Sequence, residues 1–168
     1  MSHLSSGLTT SYLQDLGRRL MPQTFSGVVP ADGLDAIFTH FDQDQYVICN
    51  ILKASVPMPG HWVSIAYQKQ HPDKLLYYDS LGFPPSLHPL IQRFLQRTGK
   101  RLFHYSQAIQ SPFSIMCGYH CLAFLLHLDR RIPTGAFFSL YNRPGNDLQG
   151  NDDISLYFIK TCLLTSSG

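Results

Sequence analysis

"HWVSIAYQKQHPDKLLYYDS", residues 61–80, decides how this chain folds. His61–Tyr67 alternates and carries β-branched and aromatic side chains, which predicts a strand. "QKQHPDK" (68–74) is polar and contains Pro72, which predicts a turn. "LLYYDS" (75–80) predicts a second strand, and so short a connection predicts an antiparallel hairpin. In such a hairpin the start of one strand lies beside the end of the other, so His61 and Asp79 are expected at the same rim.

Upstream, Leu8, Tyr12, Leu13, Leu16 and Leu20 recur at helical spacing and predict a helix over 8–20, ended by Pro22. "MPQTFSGVV" (21–29) reads as a loop, "GLDAIFTHF" (33–41) as a helix capped by Asp32, and "YVICNIL" (46–52) as a buried strand broken by "ASVPMPG" (54–60). Downstream, Ser86 caps an expected helix over 87–99 with Gly99 at its end, followed by a strand, "RLFHYSQAI" (101–109). "SPFSIM" (111–116) then turns into an apolar helix that begins at Cys117. A helix is expected after Pro133, then a polar loop, "NRPGNDLQGN" (142–151), and a closing helix over 152–164 capped by Asn151 or Asp152. This order lacks the regular strand–helix alternation of a doubly wound protein. It predicts an α+β architecture: one domain over 1–168, with a central, largely antiparallel mixed sheet flanked by helices.

The chain has 168 residues, 44% of them hydrophobic and 14% charged, which is the composition of a folded domain able to build a core without disulfides. A net charge of +2 and a pI near 8.4 fall short of a dedicated nucleic-acid binder. The basic pairs Arg18-Arg19, Lys100-Arg101 and Arg130-Arg131 read as solvated helix ends, with weak DNA binding as the competing reading. The N-terminal stretch lacks the pattern of a secretory signal, and no run reaches the ~18 apolar residues of a membrane helix. The four cysteines (Cys49, Cys117, Cys121, Cys162) are therefore expected to stay reduced, in the nucleus or cytoplasm of a host cell.

Reduced cysteines open nucleophilic chemistry, which needs an activated thiol, a base and donors for an oxyanion. Cys117 heads a helix, where unpaired N–H groups and the dipole favour a thiolate, and Gly118 after it leaves room for substrate. A buried inert thiol is the competing reading. His61 begins a strand directly after the strand-breaking "PMPG" (57–60), at an exposed rim, with Trp62 beside it to wall a site; otherwise it is a surface histidine. Asp79 can accept from that imidazole and fix its tautomer, or it can cap the "DSLG" turn. Gln110 can donate its side-chain amide to an oxyanion alongside the backbone N–H of Cys117, or it is a solvated loop residue. His3, His71 and His88 fall in a tail, a turn and a first helical turn and receive no role. Cys117, His120 and Cys121 share a helix face at zinc-ligand spacing, but a fourth ligand is missing. No metal is assigned, and His120 and Cys121 are read as packing residues.

"GHWVSIAY", "YYDSLGF" and "QSPFSIMCGYHCLAFLL" together resemble the adenovirus protease family (adenain), in the clan that includes the SUMO- and ubiquitin-like-protein proteases. "LQDLG" and "FSGVVPADGL" resemble that family's N-terminal region, so the likeness spans residues 13–125. The resemblance implies the adenain/ubiquitin-like protease fold, with the nucleophile at the start of a central helix. It implies a cysteine endopeptidase in which Cys117 attacks, His61 shuttles the proton, Asp79 orients His61 and Gln110 helps form the oxyanion hole. It further implies polypeptide substrates cleaved after Gly-containing motifs, maturation of viral precursors, and residence in an infected cell or virion. Adenain binds an activating peptide through a disulfide, but the corresponding position here is Gly99, so an activating peptide or DNA would have to act without that bond. A monomer is expected. Two other readings share the motif: an isopeptidase acting on SUMO or ubiquitin tails, and a non-catalytic virion protein that keeps the fold.

Overall fold

The computed structural model of the chain describes residues 9–56, 60–111, 114–141, 148 and 150–166. The break expected at 54–60, the turn at 111–116 and the polar loop at 142–151 fall partly outside these residues, as does Leu8.

Five strands form one sheet in chain order: β1 (Phe25–Pro30), β2 (Gln45–Asn50), β3 (Trp62–Tyr67), β4 (Lys74–Tyr78) and β5 (Arg101–Tyr105). The hairpin reading holds, because β3 and β4 pair antiparallel with Ser64 opposite Tyr78 and Tyr67 opposite Leu75. β2 and β3 are also antiparallel, whereas β1–β2 and β4–β5 are parallel. The sheet is therefore mixed, antiparallel at its centre and parallel at both edges. One geometric result follows. β2, β4 and β5 end, and β3 begins, at the same rim.

Side chains alternate across this sheet. Tyr46, Ile48, Trp62, Ala66, Leu76 and Tyr78 face one core, completed by helices α1 (Thr10–Leu20), α4 (Cys117–Asp129), α5 (Thr134–Ser139) and α6 (Gly150–Ser166). Val47, Cys49, Val63, Ile65, Leu75 and Tyr77 face a second core under α2 (Leu34–Ile37) and α3 (Pro89–Arg97). With both faces covered, β2 and β3 are buried almost throughout, which is why they read as nearly continuous apolar runs. α4 is the central helix: every residue from Gly118 to His127 is buried, which requires a helix apolar on all sides. Each fully buried Leu or Phe there stabilises the fold by about 1.5–3 kcal/mol.

Four local expectations are corrected. Residues 21–29 are not a loop. β1 runs through Phe25–Pro30 on a sheet edge, with an irregular register between Phe25 and Gly27, and Gly27 and Pro30 hide its pattern. The helix expected over 33–41 shrinks to a 3-10 turn at Ala31–Gly33 and a single helical turn. Asp32 caps neither; its Oδ1 accepts from Ala54 N at 2.9 Å and ties the loop after β2. Ser86 lies inside another 3-10 turn, Pro85–Leu87, and α3 starts only at Pro89. α6 starts at Gly150, so Asn151 and Asp152 lie in its first turn, and their side chains reach other elements. Gly99, with φ +66°, ends α3 as expected.

Candidate active site

The site forms where the sheet rim meets the start of α4. Gly60 sets its entry. It sits at φ +66°, and a Cβ there would lie 2.3 Å from Asn50 Oδ1, so only glycine permits the turn that delivers His61 to β3. Asp79 leaves the end of β4 and closes a turn. Its carbonyl accepts from Gly82 N at 2.8 Å and its Oδ1 from Leu81 N at 2.8 Å. The turn reading of "DSLG" and the orienting reading of Asp79 therefore coexist. The same Oδ1 accepts from His61 Nε2 at 2.7 Å, with the Asp79 side chain wholly buried.

Cys117 lies close enough to His61 to act on its ring electrostatically. With Nε2 on Asp79, Nδ1 is the ring nitrogen left for a further partner. Burial pushes the imidazole towards its neutral form, but the hydrogen bond to Asp79 and the nearby Cys117 sulfur outweigh it, and the pKa rises to about 9. Cys117 is half-buried, at the first residue of α4, where the backbone N–H groups of the opening turn have no intrahelical acceptor. Gly118 is buried beside it, and Trp62 lies in the apolar cluster that Cys117 and Met116 border. His88, which carried no expected role, lies close enough for its ring to be influenced by both Asp79 and His61. Burial, more than either, lowers its pKa.

Gln110 is buried, not solvated. Its backbone N–H donates to Ser80 O at 2.9 Å, its Oε1 accepts from Ser80 Oγ, and its Nε2 donates to Ser114 O at 2.9 Å. The residue after Asp79 thus holds the amide on one side and the approach to Cys117 holds it on the other. One N–H of the amide is not needed for the Ser114 bond and can serve an oxyanion together with Cys117 N–H.

The structure hydrogen-bonds His61 to Asp79, places Cys117 within electrostatic reach of that pair, and anchors Gln110 on the same strand-end rim. His120 does not join it. Its Nδ1 faces Ser155 Oγ and its Nε2 faces Asp152 Oδ1, both at 2.8 Å, so His120 is a satisfied buried residue with polar partners and not a zinc ligand. Cys121 is buried, as expected. The role of Ser80, and the pairing of Ser114 with Asp152, escaped sequence reading because the partners lie 30 and 38 positions apart.

No protein-family model and no curated protein matches this sequence. Solved structures do. The ASFV pS273R protease aligns over 97% of this chain and 68% of its own, with a TM-score of 0.55 and 13% identity. ChlaDub1 of Chlamydia trachomatis aligns over 74% of this chain at 16% identity, with a TM-score of 0.45 and 60% of its own length covered. A second ChlaDUB1 structure gives a TM-score of 0.44 and 56% coverage of its own length. The architecture is the ubiquitin-like protease fold.

Proposed function

We propose that this chain is a cysteine endopeptidase of adenain type, cleaving precursor polypeptides after Gly-containing motifs inside an infected cell or virion. The observation that carries the reading is His61 hydrogen-bonded to a wholly buried Asp79, with the free, half-buried Cys117 within electrostatic reach. A retained but silent fold has no need of a histidine held on a buried carboxylate near a half-buried thiol. Likeness of fold to a viral protease over nearly the whole chain supports the viral setting, and the His-Trp, Asp-x-x-Gly-Phe and Gln-x₆-Cys-Gly motifs support the Gly preference.

In this reading the Cys117 thiolate attacks the scissile carbonyl and the C–S bond forms. The carbonyl oxygen takes negative charge, and Cys117 N–H and the Gln110 amide stabilise it. His61 gives its Nδ1 proton to the departing amine as the C–N bond breaks. Water then attacks the thioester and gives a proton to His61, the C–S bond breaks, the acid product leaves, and the thiolate with protonated His61 is restored. Asp79 keeps Nε2 occupied, so that Nδ1 faces the sulfur throughout.

The test is cleavage-site profiling of the purified protein on a peptide library, beside Cys117→Ala, with ubiquitin and SUMO vinyl-sulfone probes in parallel. Cleavage after Gly, lost in Cys117→Ala, is expected. Fast labelling by a SUMO or ubiquitin probe would replace the endopeptidase by an isopeptidase. Full activity of Cys117→Ala would end the cysteine mechanism.

A further inference from the structure

The segment from Ile109 to Met116 carries the Gln110 amide and delivers Cys117, and α6 grips it at both ends. Asn151 Nδ2 donates to Ile109 O at 2.8 Å. Four residues after Gln110, Ser114 Oγ donates to the Asp152 carboxylate, 2.8 Å from Oδ2 and 3.0 Å from Oδ1. The same Ser114 oxygen accepts from Met116 N at 3.1 Å, and Ser114 O is the acceptor for Gln110 Nε2. One serine therefore fixes the side-chain amide with its carbonyl and the residue before Cys117 with its hydroxyl.

Behind Asp152 lies a buried series. Burial pushes the Tyr141 hydroxyl up to about 12, so it stays protonated and can donate to Ser155 Oγ at 2.7 Å. Ser155 Oγ pairs with His120 Nδ1, and His120 Nε2 with Asp152 Oδ1, both at 2.8 Å. His120 is wholly buried, and a polar ring there is tolerated only because both nitrogens are engaged. The series runs unbroken from Tyr141 to the carboxylate and holds Asp152 where Ser114 needs it.

We propose that Ser114 and Asp152, backed by His120, are positioning residues that hold the Gln110 amide against the Cys117 backbone N–H, so that the two oxyanion donors converge. This rests on the endopeptidase reading above. It assigns these residues an action through Gln110, with no contact to substrate and no part in the Cys117–His61 pair.

Ser114→Ala and Asp152→Asn test it, with Tyr157→Ala on the exposed face of α6 as control. On a fluorogenic Gly-Gly peptide amide, kcat should fall about tenfold in both with KM unchanged, part of the ~10²-fold loss of a whole oxyanion donor. In a Gln110→Ala background, Ser114→Ala should cost less than about twofold more, because it acts through the same group. Alkylation of Cys117 by iodoacetamide should stay within about twofold of wild type, since the thiolate pair is untouched. By NMR, the Gln110 side-chain amide protons should exchange faster in Asp152→Asn, a readout that needs no turnover. Wild-type kcat in both variants, losses that add fully to Gln110→Ala, alkylation that falls in step with kcat, or unchanged Gln110 exchange would each overturn the proposal. If the wild type fails to cleave, or His61→Ala leaves its alkylation rate unchanged, the endopeptidase reading falls instead, and Gln110 exchange still decides the positioning.

Discussion

His61 Nε2 donates to Asp79 Oδ1 across 2.7 Å, and the carboxylate that accepts is wholly buried while the imidazole keeps a solvent-facing edge. Neither residue lies in the ladder between β3 and β4. Each stands one position beyond its strand, so the register of the hairpin brings them together.

That contact governs the charge of the histidine. In Asp79→Asn the His61 pKa should fall from about 9 towards the ordinary value of ~6.5, read by NMR titration. Because the folded value is the raised one, the stability that His61 contributes is fully present below ~6.5 and is lost as pH rises through about 9. A wild-type His61 titrating near 6.5 would contradict this.

Gln110→Ala should lower kcat on the order of 10²-fold with little change in KM, because the amide acts on charge that appears only in the transition state. Asp79→Ala should cost a similar factor, while Cys117→Ala and His61→Ala should abolish turnover. Steady-state kinetics on one peptide substrate separates the two grades.

His127 should make the protein acid-sensitive. Its ring stacks on Phe137 at 4.3 Å, and burial lowers its pKa to about 4 against the weaker, opposing pull of the Phe124 backbone carbonyl. The stability due to its neutral form is present above ~6.5 and is lost as pH falls towards about 4. Thermal melts from pH 7 to 4 should show this loss, and His127→Phe should flatten that limb of the curve.

Gly60→Ala should destabilise the fold by about 1–3 kcal/mol, through a left-handed backbone that alanine resists. The added methyl would also press on Asn50, whose Oδ1 accepts from Leu52 N at 2.9 Å. The urea midpoint measures the stability, and a moved His61 resonance in the same sample would show that the strand entry has shifted.

Much of this was legible without coordinates. The hairpin, the apolar helix at Cys117 and the sharing of a rim by His61 and Asp79 follow from local alternation and from the period of a strand. β1 was not legible, because an edge strand with Gly27 and Pro30 takes its order from its neighbour and carries no pattern of its own. The short helices near Asp32 and Ser86 were overestimated for a related reason: a polar residue that can cap a helix can equally tie a loop, as Asp32 does to Ala54.

The sequence by itself determined the chemistry available at the rim: a cysteine at a helix start, a histidine at a strand start and an acid at the next strand's end. Only the tertiary structure decided how these are held. Parallel pairing of β5 with β4 returns the chain to the same rim, where Ser80 receives Gln110, and α6 closes over the segment between Gln110 and Cys117 through Asn151 and Asp152. Those contacts join residues 30 to 42 positions apart, and no local propensity encodes them. They exist because buried polar groups must find partners, and the packing of α4 against the sheet and α6 determines which partners are within reach.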